Sequence, residues 1–485
     1  MSRPRPIVLI HGYSANSTVF GEWEKHLKSH YQNPELIVIH TASYKSLTNE
    51  ITIKDIAEAF DRVLRSYIED DQEFDAIVHS TGMLVIRAWL TTYAYAADVN
   101  RRSRLKHLIG LAPANFGSPL AHKGRSWLGS IIKGNKILGP DFIEAGNLIL
   151  DNLELGSRFT WDLAHIDLIG SAQNKPEHKA YYGEDNNTPY VFIFCGNQGY
   201  DRLSALANTP GSDGTVRWAG CALNTRKFIV DLTQDPSQKK DKPVEERAKP
   251  DEHPEQQIDI PVVLVDGHNH NTIVQNPSKD LVELVLEALD VSDRDSFGRW
   301  TAKTKAHMDI LKKEKGAQWE EWQQFIIRVV DERLDPVTDW NVQLSMKKDR
   351  DGKEVWLYEN SDLQVHTYAR DKSLRCFHLN LSKLNLESIS ELCMKLIVSS
   401  GTSLVAYYGY GSGKITVEGE LQESDGRWDA KLKLDHLLQA EVKFFCPFTT
   451  TLIEIRLNRE PMPINRAKEN TILTFAEKPK KPLLE

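Results

Sequence analysis

An α/β fold, built on a doubly wound and mostly parallel sheet with a helical cap and followed by a β-rich α+β domain, is what this sequence predicts. Two observations carry the expectation. Over the first 290 residues, short β-branched runs alternate with amphipathic stretches, the pattern of parallel strands joined by crossover helices. From about residue 295 the period changes to two, in short segments set close together, which points to an antiparallel sheet or sandwich with one or two helices. The expected division is therefore 1–294 and 295–485, in keeping with a chain of 485 residues, long enough for two or three domains.

In the first part, Ile7–Ile10, Leu36–Ile39, Ala76–Val78, Leu108–Leu111, Val191–Phe194, Phe228–Leu232 and Val262–Val265 read as strands. Several are unbroken apolar runs, as required when helices cover both faces of a parallel strand. Ile53, Ile56, Ala57, Phe60, Val63, Leu64 and Tyr67 recur at helical spacing, with Glu58, Asp61 and Arg62 turned outward, so a helix is expected between the second and third strands. Two insertions break the alternation. The segment from about 117 to 188 carries Trp127, Leu128, Ile131, Ile132, Ile137 and Leu138, then Ile143, Leu148, Ile149 and Leu150, and reads as a mostly helical cap. Residues 235–257 are rich in proline and charge with almost nothing apolar, the composition of a solvated, mobile loop.

The second part begins with a charged helical stretch near Thr301–Gln318. Strand candidates follow at Phe325–Val330, Val342–Met346, Leu363–Tyr368, Cys376–Leu381, Val405–Tyr410, Ile415–Glu420, Ala440–Phe445 and Leu452–Leu457. Trp319, Trp322, Phe325 and Ile326 read as core packing in preference to a membrane- or partner-facing stripe. Asp349 and Asp351 are too sparse for a calcium loop. This part offers no catalytic motif and identifies no protein partner.

Composition excludes several classes. A net charge of −8 leaves no basic footprint for nucleic acid. The five cysteines (Cys195, Cys221, Cys376, Cys393, Cys446) are scattered, with neither zinc-ligand spacing nor a disulfide framework. Ile7 to Ile10 is too short for the apolar core of a signal peptide, and no run approaches the ~20 apolar residues of a membrane span. The expectation is a reduced, cytoplasmic protein, with leaderless export still compatible.

The chemistry concentrates in four places. Ile77-Val78-His79-Ser80-Thr81-Gly82 is an apolar run that breaks into a serine between a histidine and a threonine, with a glycine two residues on. A serine hydroxyl becomes an effective nucleophile only when a base takes its proton during attack. Ile7 to Tyr13 is a strand ending in His11-Gly12, and Gly211-Ser212-Asp213-Gly214-Thr215-Val216 supplies an aspartate after a strand. Val262 to Ile273 supplies His268 and His270 after a late strand. Asp201 is a second candidate acid, and Asp266, His268 and His270 have spacing that could serve a metal, although no second ligand cluster accompanies them.

Ser80, Asp213 and His270 stand in the chain order of the α/β-hydrolases, and the 5–290 portion resembles that superfamily, in particular its serine lipases and esterases. The Asp213-Gly214-Thr215-Val216 segment is similar to that of lipases and of lecithin:cholesterol acyltransferase-like enzymes. Leu111 to Pro119, Leu153 to Ser157, and Trp161 and Leu163 resemble the exit to the cap and a cap stretch of lipases and phospholipase-like enzymes. The resemblance implies Ser80 as nucleophile, His270 as base with His268 as the alternative, Asp213 as acid with Asp201 as the alternative, and Tyr13 and Thr81 as backbone oxyanion donors. It implies a carboxylic-ester hydrolase that needs no cofactor or metal, acting on a lipid or other acyl ester, with transient contact at a membrane surface. Acyl transfer by the same residues, or a non-catalytic interaction protein on a hydrolase scaffold, are the alternatives. Val78 departs from the family pattern, which has glycine two residues before the serine.

Overall fold

The computed structural model describes residues 5–12, 19–32, 34–40, 51–93, 103–121, 147–169, 181–183, 188–201, 208–233, 248–250, 260–348, 354–357, 362–384, 386, 389–409, 417–422, 426–439 and 442–461. Six apolar runs form β1 (Ile7–His11), β2 (Leu36–His40), β3 (Phe74–His79), β4 (Leu105–Leu111), β5 (Tyr190–Gly196) and, later in the chain, β8 (Val262–Val265). They assemble in the order β2-β1-β3-β4-β5-β8, and every neighbouring pair is parallel.

Alternate residues of each strand feed two cores, one per face. Val8, Ile10, Ala76, Val78 and Leu108 pack with α2 (Ile53–Tyr67) and α3 (Gly82–Ala88). Leu9, Ile77, Ile109 and Phe192 pack on the other face with α1 (Gly21–His30) and the helices Lys279–Leu289 and Arg294–Lys315. Burial on both faces is why these strands read as continuous apolar runs. Helix α2 starts at a capping box, in which Thr52 Oγ1 accepts from the Asp55 N–H and Asp55 Oδ2 accepts from the Thr52 N–H. Its buried residues Ile53, Ile56, Ala57, Phe60 and Leu64 keep the spacing read from the sequence. Asp61, expected to face outward, is buried instead, where its carboxylate accepts from the Trp89 indole N–H (3.0 Å).

One expected member of this sheet lies elsewhere. Phe228–Leu232 falls in β6 (Thr225–Asp231), which pairs parallel with β18 (Thr450–Pro461) and antiparallel with β7 (Ala248–Pro250). Its burial alternates at Phe228, Ile229, Val230 and Asp231, the habit of a strand with unlike faces, and this separates it from the doubly covered runs.

Strand β6 belongs to a seven-stranded mixed sheet ordered β12-β13-β9-β18-β6-β7, with β15 (Val405–Tyr408) also on β18. Here β9 is Trp322–Asp331, β12 is Leu363–Thr367 and β13 is Leu374–Asn380. A five-stranded antiparallel sheet faces it, β11-β10-β14-β17-β16, from β10 (Trp340–Lys348), β11 (Glu354–Trp356), β14 (Ile389–Val398), β16 (Val417–Gln422) and β17 (Arg427–Lys433). Phe325, Ile327, Val329 and Ile453 from the first sheet meet Val342, Met394, Leu396 and Leu432 from the second in one core, so the two form a sandwich. The segment expected as a strand at Ala440–Phe445 makes none among its described residues; Phe444 instead plugs the sandwich as a buried side chain. Trp322, Phe325 and Ile326 are buried in β9.

The cap is described at Asn147–Leu153 and Arg158–Asp167, where Ile149, Leu150, Leu153, Trp161 and Leu163 are buried. Trp127, Leu128, Ile131, Ile132, Ile137, Leu138 and Ile143 lie outside the described residues, as do Asp349, Asp351, Ile415 and nearly all of 235–257. The cap is tied to α3 by a buried bidentate pair: Arg87 donates through Nε to Asp167 Oδ2 (2.7 Å) and through Nη2 to Oδ1 (2.9 Å). Tyr182 donates to the same carboxylate (2.6 Å), and Arg87 Nη1 reaches the Asn115 carbonyl (3.0 Å).

Candidate active site

The site forms at the C-terminal ends of the parallel strands, where crossover loops leave the sheet. Strand β3 ends at His79 and α3 begins at Gly82, so Ser80 and Thr81 make the whole turn. Ser80 holds φ +54°, in the left-handed region that a non-glycine residue enters at a cost of about 1–3 kcal/mol. Its backbone is over-determined: the Ser80 N–H donates to the Leu111 carbonyl (3.1 Å), and its own carbonyl accepts from Met83 (3.3 Å) and Ala114 (3.2 Å). The turn therefore presents the hydroxyl in one direction.

Two glycines make that turn possible. A β-carbon on Gly12 would lie 2.6 Å from Ser80 Cβ and 2.8 Å from the His79 carbonyl oxygen. A β-carbon on Gly82 would meet the Ile10 carbonyl at 2.9 Å. The tight approach after the serine is thus between α3 and β1. Val78 is fully buried between Ile10 on β1 and Gly110 on β4, its partners in register. The space over Gly110 is taken by Met83, Pro113 and Ile193, each within 3.2 Å of where its β-carbon would stand.

His270 reaches the serine. Ser80 Oγ donates to His270 Nε2 (3.1 Å), and His270 Nδ1 donates to Asp213 Oδ2 (2.8 Å). Asp213 is fully buried, and its Oδ1 accepts from the backbone N–H groups of Thr215 (2.9 Å) and Val216 (2.7 Å). The two loops are also joined through their backbones, His270 N–H donating to the Asp213 carbonyl (3.0 Å).

His268 and Asp201 sit differently. The His268 ring is buried, with Nδ1 unpartnered among the described residues, and burial lowers its pKa. Its carbonyl accepts from Gln198 N–H (2.9 Å), which makes it part of the loop's framework. Asp201 is exposed to solvent.

A third histidine belongs to the arrangement and was not singled out in the sequence as functional. His79 Nε2 donates to the His270 carbonyl (2.9 Å), and the two rings stand 4.7 Å apart. Burial, then the neighbouring His270 and His11, hold the His79 pKa well below the usual range, so the ring is a neutral donor that props the His270 loop. Its position directly before the serine is the only signal the sequence offers. Thr81 caps α3 as the residue after Ser80; Tyr13 lies outside the described residues, although Gly12 brings the chain to within contact of Ser80.

No family model matches this chain, and no curated protein matches it. Among solved structures, it is similar to the phospholipase PlaB of Legionella pneumophila. In the complex of that protein with thio-NAD the TM-score is 0.70 at 21% identity, over 99% of this chain and 99% of the other. A second PlaB structure gives 0.70 at 22% identity, over 99% and 98%. This chain has the α/β-hydrolase fold. The likeness runs through the sandwich as well as the parallel sheet, so the hydrolase fold here carries the same kind of additional β-rich part. Within the hydrolase fold, the turn that holds Ser80 lies at the end of the strand flanked by β1 and β4, near the middle of the sheet.

Proposed function

We propose that the protein is a serine hydrolase that cleaves carboxylic esters of lipids through an acyl-serine intermediate. The observation that carries this reading is the hydrogen-bonded series Ser80–His270–Asp213 with Ser80 held at φ +54°. His270, with Nδ1–H directed to Asp213, has Nε2 available to take the Ser80 proton as Oγ attacks the ester carbonyl. Asp213 keeps that tautomer and stabilises the imidazolium while remaining ionised. The developing oxyanion is taken up by the backbone N–H groups of Thr81 and Tyr13, which such chemistry requires at about 2.7–3.1 Å from the oxyanion. His270 then returns the proton to the leaving alcohol. In the second half it activates water, and Ser80 is freed with release of the carboxylic acid.

The lipid preference is supported by the similarity, over nearly the whole length, to a protein named as a phospholipase. Transient contact with a membrane surface, where such a substrate resides, is part of the reading; among the described residues no helix is long and apolar enough to cross a membrane.

A fluorophosphonate probe tests the nucleophile: wild type is labelled and Ser80→Ala is not. Turnover of p-nitrophenyl esters and of phospholipid vesicles then tests the partners. By the precedent of triad dissection in serine proteases, His270→Ala should lose about 10⁶-fold in kcat and Asp213→Asn about 10⁴-fold. His268→Ala and Asp201→Asn should retain most activity. A fully active His270→Ala enzyme would overturn the assignment, and hydrolysis of short esters alone would remove the lipid preference.

A further inference from the structure

The sandwich core contains a cavity of about 220 Å³ that the hydrolase chemistry does not use. Phe325, Ile327, Phe377 and Leu379 wall it from the seven-stranded sheet, and Val342 and Leu344 from the opposite sheet. Protein cores normally leave few voids larger than a water molecule, because each lining atom without a neighbour loses contact energy. An apolar cavity stays dry and takes apolar guests. At a liquid share of about 30 Å³ per water molecule, this space corresponds to roughly seven waters, room for a similar number of methylene groups, so a longer chain fills it with one segment.

One end of the cavity has a charge. On β13, Arg375 shares the inward face with Phe377 and Leu379 and lines the same space. Its guanidinium lies over the Trp340 ring, 4.4 Å from the centroid, and its Nε is buried without a hydrogen-bond partner among the described residues. Asp339 acts on it by charge, and not as a hydrogen-bonded partner among the described residues. Val365, half exposed, stands at the mouth. Together these make an apolar slot that opens beside a stacked cation with donors to spare.

We infer that this cavity binds a single alkyl chain with an anionic head, a long-chain carboxylate, whose hydrocarbon enters between the sheets while its head accepts from Arg375. The planar, five-donor guanidinium matches a carboxylate bidentately, and stacking on Trp340 orients it for that purpose. A phosphate head on one acyl chain shares this chemistry, and the experiment separates the two. The site stands apart from Ser80 and does not depend on the proposed ester hydrolysis.

The test is equilibrium dialysis of radiolabelled palmitate, hexadecanol and palmitoyl lysophosphatidic acid against the full-length Ser80→Ala chain. The expected result is one saturable palmitate per chain, with lysophosphatidic acid at least tenfold weaker. Arg375→Gln should weaken palmitate at least tenfold and leave hexadecanol unchanged. Ile327→Trp, which fills the cavity, should lose both; Leu344→Trp on the opposite wall serves the same purpose should the first fail to fold. Absence of palmitate binding, or binding that Arg375→Gln and the filled variant leave untouched, would overturn the site. Lysophosphatidic acid bound tighter than palmitate would overturn the carboxylate assignment. Palmitate binding of this kind, with a wild-type chain that resists fluorophosphonate, would retain the site and lose the hydrolase reading.

Discussion

Gly12→Ala should abolish the proposed hydrolysis without touching any group that takes part in bond making. The added carbon would sit 2.6 Å from Ser80 Cβ and 2.8 Å from the His79 carbonyl oxygen, about 0.8 Å and 0.6 Å inside ordinary contact at 3.4 Å. His79 yields little, because it is in register with Leu111 of β4 and follows Val78, which is paired on both sides. The serine turn must move, and Ser80 Oγ with it, away from a hydrogen bond to His270 that is already 3.1 Å long. Displacing a reacting atom by about 1 Å costs on the order of 100-fold in rate, or roughly 2.7 kcal/mol of transition-state stabilisation. Overpacking adds a loss of about 1–3 kcal/mol in stability. The assay is kcat/KM for a p-nitrophenyl ester alongside the rate of fluorophosphonate labelling, each on protein whose urea unfolding is measured in parallel. Gly21→Ala is the control, since a β-carbon there meets nothing within 4 Å. A Gly12→Ala variant within threefold of wild type in both assays would refute the argument that β1 confines the serine.

Three further perturbations test the scaffold. Arg87→Met strands the buried Asp167 carboxylate and should cost about 3–5 kcal/mol in urea unfolding; Arg87→Met combined with Asp167→Leu should recover much of it. Gly298→Ala, on an exposed turn of the helix Arg294–Lys315 with open space at its β-carbon, should raise stability by about 0.8–1.0 kcal/mol, read as a higher denaturation midpoint. Acid should destabilise the fold through buried neutral histidines. His79 and His378 are held well below the usual range, both by burial first, with His270 and His11 near the one and Arg217 near the other; His165 is lowered to about 4, by burial and then Lys227. A depressed folded pKa means that the unfolded chain takes the proton first. The contribution is therefore whole above an unfolded pKa of about 6.5 and declines as pH falls towards the folded value, by up to about 1.4 kcal/mol per pH unit for each such group. Unfolding midpoints from pH 7 to 5 should fall, less steeply in His378→Phe, and a flat profile would contradict the assignment of these rings as neutral.

The parallel sheet was legible because its strands are buried on both faces, a setting that few other elements of a water-soluble fold share, and continuous apolar runs such as Ile7–Ile10 and Val191–Phe194 follow from it. The sandwich was less so. Strand β17 alternates cleanly, with Trp428, Ala430 and Leu432 inward, yet its Arg427, Asp429, Lys431 and Lys433 give it the composition of a charged surface segment. Strand β14 carries Glu391 and Lys395 among its apolar residues for the same reason. Strand β6 was visible as a strand, but nothing local could assign it to a sheet, because its partner β18 lies more than 200 residues away. The pattern after the late strand left two histidines open, two positions apart. Separating them needed three-dimensional facts: the Asp213 carbonyl accepts from the His270 N–H, the Gln198 N–H donates to the His268 carbonyl, and only the His270 ring stands within reach of both Ser80 and Asp213.

The placement of β6 also bears on why the sandwich is present beside a hydrolase sheet. The chain runs from Asp213 through the short helix Trp218–Cys221 into β6, so the acid loop is suspended between the two units. Gly211, two residues before the acid, holds φ +67° with its α-carbon against the Trp322 indole, where a β-carbon would stand 2.6 Å from the ring. Arg217, four residues after the acid, is buried and donates to Gln364 Oε1 on β12 (3.1 Å), with no carboxylate among its hydrogen-bond partners in the described residues. Thr450 of β18 donates to the Ala219 carbonyl (3.1 Å). Each of these contacts fixes the loop from the sandwich side, while His270 and Cys195 meet Asp213 from the side of the parallel sheet. His270 is oriented by its hydrogen bond to Asp213, and the loop that carries Asp213 is held by strands that the parallel sheet does not contain. The sandwich is therefore a structural part of the candidate site, independent of any ligand it binds.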